Sequence, residues 1–210
     1  MLDGRHGSRM NALWETLAAG LARAGFSPNA ITVAGLALVA GACVAYPLHG
    51  NSLVFAAWLA VAFAFDGLDG AVARLNGRAT RFGGYLDAVA DRYQEIAVLA
   101  AIAWVHDAWP AAFLAVTGSL LTSYNKARAA MEIPIDNGAW PDLMERMERL
   151  LLLLALLVLH SVSAVVPGTT AGSLHAGIVV LGVLSHFTAA QRFFRARRRI
   201  EAADEAAERP

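Results

Sequence analysis

The sequence predicts an all-α polytopic membrane protein, with six transmembrane helices and an N-terminal interfacial amphipathic helix. Composition is the first sign. Hydrophobic residues make up 57% of the 210 and charged residues 16%, whereas a soluble domain carries about 25% charged. Mean hydropathy is +0.49. The second sign is a series of runs without Asp, Glu, Lys or Arg: Ala30 to His49, Ser52 to Phe65, Ile96 to His106, Ala108 to Asn125 and Leu150 to Gln191. The third is their length and continuity. A bilayer core takes about 20 residues of helix, while open sheets leave backbone groups unsatisfied in lipid and barrel strands are shorter.

The elements follow in order. Met10, Leu13, Trp14, Leu17 and Leu21 recur at helical spacing and predict an amphipathic helix at the cytoplasmic interface. The first 29 residues lack an apolar core of signal-peptide length, so no cleaved signal is expected. Ser27 and Pro28 read as N-cap and first position of a helix. Spans are expected at roughly 30–49, 52–75, 84–106, 109–131, 144–165 and 172–195, the last two divided at Pro167-Gly168. The chain thus reads as a cytoplasmic segment 1–29, a six-helix domain 30–199 and a charged tail 200–210.

The 17 Lys plus Arg residues balance 17 Asp plus Glu. That balance argues against a general nucleic-acid binder, and the apolar composition argues against disorder. The turns near Gly50, Asp107 and Pro167 carry no Lys or Arg, so the positive-inside rule places both termini in the cytoplasm of a multi-pass inner-membrane protein. Arg195, Arg197, Arg198 and Arg199 read most simply as a topology anchor near anionic headgroups. The single cysteine, Cys43, excludes an internal disulfide and a multi-cysteine zinc site.

Ionisable residues inside spans are expensive and therefore candidates for function. Asp66, Asp69, Gly70, Ala73 and Arg74 share one helical stripe, and Gly83, Asp87 and Asp91 share another on the next helix. Facing stripes on antiparallel neighbours would gather four carboxylates at the cytoplasmic end. Like charges there raise one another's pKa values unless cations neutralise them. All-oxygen ligation without Cys or His favours Mg²⁺ or Mn²⁺. The small residues leave room for a ligand, and Arg74 offers a fork for phosphate oxygens. Two such ions would suit transfer at a phosphorus centre, with a further carboxylate as general base.

The pattern Asp66-x2-Asp69-Gly70-x2-Ala73-Arg74-x8-Gly83-x3-Asp87-x3-Asp91 resembles, without departure, the signature of the CDP-alcohol phosphotransferases. The resemblance implies a six-helix membrane core, a homodimer, and displacement of CMP from a CDP-linked donor by an alcohol. It implies that Asp66, Asp69, Asp87 and Asp91 serve the metals, with Asp91 also the base. Asp66, Asp69, Gly70, Ala73, Arg74 and Gly83 would hold the CDP moiety. Pro28-Asn29-x2-Thr32 resembles a further family motif, which adds Asn29 and Thr32 to that set.

The remaining polar residues resemble those of phosphatidylinositol-phosphate and archaetidylinositol-phosphate synthases within the family. By that resemblance Lys126, Arg146, Arg149 and Arg192 would hold the acceptor's phosphate, with Arg128 behind them. Ala130 stands where those synthases usually have Glu, and the 132–142 connection is longer. The reading is a transferase that moves the phosphatidyl group of CDP-diacylglycerol to a phosphorylated polyol, inositol 1-phosphate first and glycerol 3-phosphate as the alternative. The rival from another class is a cation or proton transporter, which explains the membrane carboxylates but not the matched Gly70, Ala73, Arg74 and Gly83.

Overall fold

The computed structural model describes residues 16–75, 77, 79–135, 142–163 and 172–207, and its regular elements there are all α-helices. The first, α1, covers 16–23 of the described residues. Met10, Leu13 and Trp14 lie outside them. Ala18 is fully buried with Leu21 and Ala22 beside it, against Ile31, Leu68 and Val72, whereas Leu17 is exposed. Ala18 thus lies on the face of α1 turned to the protein, and Leu17 on the face left uncovered.

Helix α2 spans Pro28–His49. Ser27 caps it from extended backbone, its hydroxyl accepting the Ala30 N–H at 3.2 Å, and Pro28 sits where a missing N–H costs nothing. It ends at Gly50, which takes φ +62° and donates its N–H to the Tyr46 carbonyl at 2.8 Å. Helix α3 spans Ser52–Leu75, with the Asn51 side chain accepting from Leu53 N–H at 3.0 Å. Helix α4, Arg81–His106, starts three residues before the expected position because Thr80 Oγ1 accepts the Gly83 N–H at 3.0 Å. Helix α5, Trp109–Glu132, stops at Ile133, which is extended as a residue preceding proline prefers.

Helix α6 spans Arg146–Ser163, and α7 runs over Gly172–Ala207. The expected end of α7 near 195 is too early, and the tail separated at 200 is part of the same helix as far as Ala207. Ala, Glu and Arg are strong helix formers, and no Gly or Pro interrupts them there. An Arg197–Glu201 pair at 2.7 Å spans one turn of that extension.

Among the described residues, three helices are long and apolar enough to cross a membrane: Pro28–His49, Ser52–Leu75 and Leu174–Ala207. Six had been expected. Helix α4 carries Asp87, Asp91, Arg92 and Glu95, α6 begins with Arg146, Glu148 and Arg149, and α5 carries Thr117, Ser119, Thr122 and Asn125, so hydropathy alone does not single these out.

The chain divides into two compact units, Met1–Gly50 with Val54–Val98, and Asn51–Leu53 with Leu99–Pro210. In the first unit, the cluster around Ala18, Ile31, Leu68 and Val72 ties α1, α2 and α3 together. Tyr46 stacks on Phe55 with ring centroids 4.1 Å apart, fastening the other ends of α2 and α3. In the second unit α5 and α7 lie closely against each other. A Cβ on Gly118 would stand 2.9 Å from Ser185 Cβ and His186 N, and one on Gly182 would stand 2.8 Å from Leu114 Cγ. Small residues permit this approach, and polar side chains then reach the neighbouring backbone. Thr122 Oγ1 donates to the Ser185 carbonyl at 3.0 Å, and Asn125 Nδ2 donates to Ala189 at 2.9 Å.

Candidate active site

In the first unit, α3 carries Asp66, Asp69, Gly70, Ala73 and Arg74, and α4 carries Gly83, Asp87 and Asp91. The side chain of Asp66 lies outside the described residues. Asp69 is 7% exposed. Its Oδ2 accepts a short hydrogen bond from the Thr32 hydroxyl of α2, and its Oδ1 accepts from the Gly70 N–H. Thr32 is itself buried. A hydroxyl that could have satisfied itself on the Pro28 carbonyl one turn back, 3.2 Å away, is thus also within reach of a carboxylate on another helix.

The Pro28-Asn29-x2-Thr32 segment meets the signature at a second point. A Cβ on Gly83 would stand 3.2 Å from Asn29 Oδ1 and 3.1 Å from Thr80 Oγ1. Both separations are tighter than ordinary van der Waals contact, so a side chain at 83 would press on Asn29 and on the cap of α4. Gly70 faces Arg74 at ordinary contact distance, a Cβ there standing 3.4 Å from an Arg74 guanidinium nitrogen. Arg74 is exposed, and Ala73 and Asp87 are half-buried.

Asp91 is 8% exposed and pairs through Oδ2 with Arg92 Nη2 at 3.3 Å. Arg92 Nε lies 3.5 Å from the buried Glu95 carboxylate, so a short acid–base–acid chain runs along this stretch of α4. Among the described residues no three acidic, histidine or cysteine side chains come close enough to hold a metal ion together. Asp69 is met by Thr32 and the Gly70 amide and Asp91 by Arg92, as buried anions require. The sequence offers Arg74, Arg78, Arg81 and Arg92 as possible partners for these carboxylates, and Arg92 is the one found against Asp91.

The second unit holds the basic candidates. Lys126 and Arg146 are half-buried, on α5 and at the start of α6. Arg149 is buried and donates from Nη1 to the Met144 carbonyl at 2.8 Å, bracing the turn that leads into α6. Arg128 pairs with Glu132 on an exposed face. Arg192 is 5% exposed. Its Nε donates to Asp142 Oδ2 at 2.7 Å, its Nη2 lies 2.6 Å from the same oxygen, and its Nη1 donates to the Thr122 carbonyl at 2.7 Å. Arg195, one turn on, donates to Asp142 Oδ1 at 2.9 Å. Sequence reasoning missed Asp142. It lay in a connection read as a plain loop, and only tertiary packing reveals that its carboxylate is fully enclosed. Elsewhere in this unit His186 lies 3.2 Å from Thr117 as an interhelical pair, and the His106 and His160 rings meet edge to face at 4.8 Å.

Comparison with known proteins bears directly on these stripes. The CDP-alcohol phosphatidyltransferase profile matches residues 26–199. The archaetidylinositol phosphate synthase of Pyrococcus horikoshii is 30% identical over 182 residues, covering 86% of this chain and 89% of that protein. The phosphatidylinositol phosphate synthase of Mycobacteroides abscessus is 39% identical over 194 residues, covering 86% and 82%. Among solved structures, the phosphatidylinositol phosphate synthase of Mycobacterium tuberculosis with CDP-DAG bound superposes with a TM-score of 0.74 at 29% identity, covering 88% of this chain and 94% of that one. The same enzyme in complex with manganese and citrate gives 0.73, also at 29% identity, covering 87% and 88%. With two aspartate-bearing helices packed as a unit and the match extending over most of its length, the chain belongs to the CDP-alcohol phosphatidyltransferase family and is an enzyme of that class.

Proposed function

We propose that this protein transfers the phosphatidyl group of CDP-diacylglycerol to inositol 1-phosphate, releasing CMP, in a membrane crossed six times with both termini and the site in the cytoplasm. The observation that carries the reading is the hydrogen bond from Thr32 to Asp69, together with the close approach of Asn29 to Gly83, which brings the start of α2 onto the signature. A motif meant to close over a nucleotide is thereby joined to the stripe meant to hold it. Relatives named for inositol-phosphate chemistry support the acceptor, and the family supports a homodimer within the domain at 30–199.

The donor set fits two hard divalent cations. All the candidates Asp66, Asp69, Asp87 and Asp91 are carboxylates, and Asp69 and Asp91 are buried where bare negative charge is costly. Mg²⁺ or Mn²⁺, when bound, supplies neutralising charge for the pyrophosphate and the departing CMP. Manganese in the Mycobacterium tuberculosis structure supports that assignment.

The chain's own residues do the rest. Thr32 orients Asp69, while Gly70, Ala73 and Gly83 leave the backbone open to the cytidine diphosphate and Arg74 takes a phosphate oxygen. Asp91 accepts the proton of the acceptor hydroxyl as its oxygen bonds to the phosphorus bearing diacylglycerol. The anhydride P–O bond on the far side breaks, and CMP leaves. Lys126, Arg146, Arg149 and Arg192 hold the acceptor's phosphate and orient the attacking hydroxyl.

A competition among inositol 1-phosphate, glycerol 3-phosphate, inositol and serine, with labelled CDP-diacylglycerol and thin-layer separation of the lipids, tests the acceptor. Predominant phosphatidylinositol phosphate is expected; phosphatidylglycerophosphate as the main product would reassign it.

A further inference from the structure

We propose that Asp142 is a positioning residue for the acceptor, presetting Arg192 and Arg195 to receive its phosphate; this rests on the acceptor reading above. A guanidinium carries five N–H donors. In Arg192, three of its donors go to the Asp142 carboxylate and the Thr122 carbonyl, all within 2.6–2.7 Å. Glu145, at 3.9 Å from Nη2, is too far for a hydrogen bond. One N–H on each Nη is left among the described residues, the chemical requirement for meeting two oxygens of a phosphate.

The geometry separates anchoring from binding. Asp142 and the Thr122 carbonyl pin the guanidinium plane from two elements, the turn before α6 and the body of α5. A flexible arginine at the end of a long helix would lose rotamer freedom on meeting its ligand; one already fixed has lost it during folding. Arg195 stands one turn away on α7 and shares the other oxygen of the same carboxylate. One fully enclosed anion therefore sets two cations at fixed spacing. An isolated buried carboxylate would be expensive. With two guanidinium partners its charge is compensated, and the second positive charge is shared with Glu145, half-exposed and 3.9 Å from Arg192 Nη2, too distant to occupy the remaining N–H donors.

The test is steady-state kinetics of the full-length protein with CDP-diacylglycerol and inositol 1-phosphate, in wild type, Asp142→Ala, Asp142→Asn, Asp142→Glu and Arg192→Ala. Asp142→Ala is expected to raise KM for inositol 1-phosphate by about tenfold or more and leave KM for the donor within about twofold. Asp142→Glu should recover part of the loss, and Asp142→Asn should fall between. An unchanged or lowered acceptor KM in Asp142→Ala that still melts cooperatively overturns the proposal, as does a parallel rise in both KM values. If Asp142→Ala does not fold, Asp142→Asn decides by the same criteria. Arg192→Ala separates the two levels of inference. An unchanged acceptor KM there refutes the phosphate pocket itself, whereas a raised KM there with no effect at 142 refutes only the role of Asp142.

Discussion

Asp69 in the first unit and Asp142 in the second handle buried charge in opposite ways, while Asp91 of the first unit pairs with Arg92. In the first, a buried carboxylate is met by a threonine hydroxyl and a backbone amide, and the neighbouring positions are glycine or alanine. In the second, a buried carboxylate is enclosed by two arginines and a backbone carbonyl shares the load. Neutral donors leave an anion's charge available to a cation from outside, while guanidinium partners consume it. The first arrangement suits a site that must still take up positive charge, and the second suits a scaffold that holds cations in place for a negative ligand.

Breaking the comparison at its most sensitive point means removing the acid with the most demanding task. Asp91→Asn is expected to lower kcat by about 10²–10⁴-fold, the range of a lost general base, while binding of CDP-diacylglycerol persists. Turnover and donor affinity measured on the same preparation check it, and retained turnover removes Asp91 from that role. Thr32→Val comes next. It deletes the hydroxyl on Asp69 without changing shape, and a lost hydrogen bond to a charged group costs about 1.5–3 kcal/mol. A drop of roughly tenfold or more in kcat/KM with an unchanged fold is expected.

The second unit is sharpened by packing. Gly182→Ala would set a methyl 2.9 Å from the Ala115 backbone nitrogen, an atom that cannot swing aside. A stability loss of about 1–3 kcal/mol is expected from such overpacking, read as a lowered Tm in detergent. The smallest effect belongs to Arg197→Ala, which removes only the exposed pair with Glu201. No measurable change in Tm or activity is expected, and a clear loss would mean that the end of α7 does more than extend the helix.

Much of the fold was legible because its signals are local. Ser27-Pro28 starts α2, Gly50 ends it, and Ile133 before Pro134 ends α5, each through chemistry confined to a few neighbouring residues. The extension of α7 to Ala207 was missed because its polar composition was weighed against membrane burial rather than helix propensity. Three of the six expected spans are not singled out by length and composition among the described residues: α4 and α6 carry charges at their starts, and α5 carries hydroxyls and amides along its length.

The candidate site divides in the same way. Asp69, Gly70 and Gly83 stood out by spacing, and Thr32 by motif, because helical periodicity places residues on stripes before any tertiary contact is known. Arg192 was identified by type, but its attachment to Asp142 depends on residues 50 positions apart. No periodic rule connects a turn before α6 with the last helix. Long-range polar pairs of this kind are set by packing, and Asp142 was silent in the sequence for that reason.

The central claim is best tested by following CMP release from CDP-diacylglycerol by the purified protein, with Mg²⁺ or Mn²⁺ and inositol 1-phosphate each added or withheld. The account predicts release only when metal and acceptor are both present, with one phosphatidylinositol phosphate formed per CMP. Absence of metal-dependent CMP release with any alcohol would contradict it.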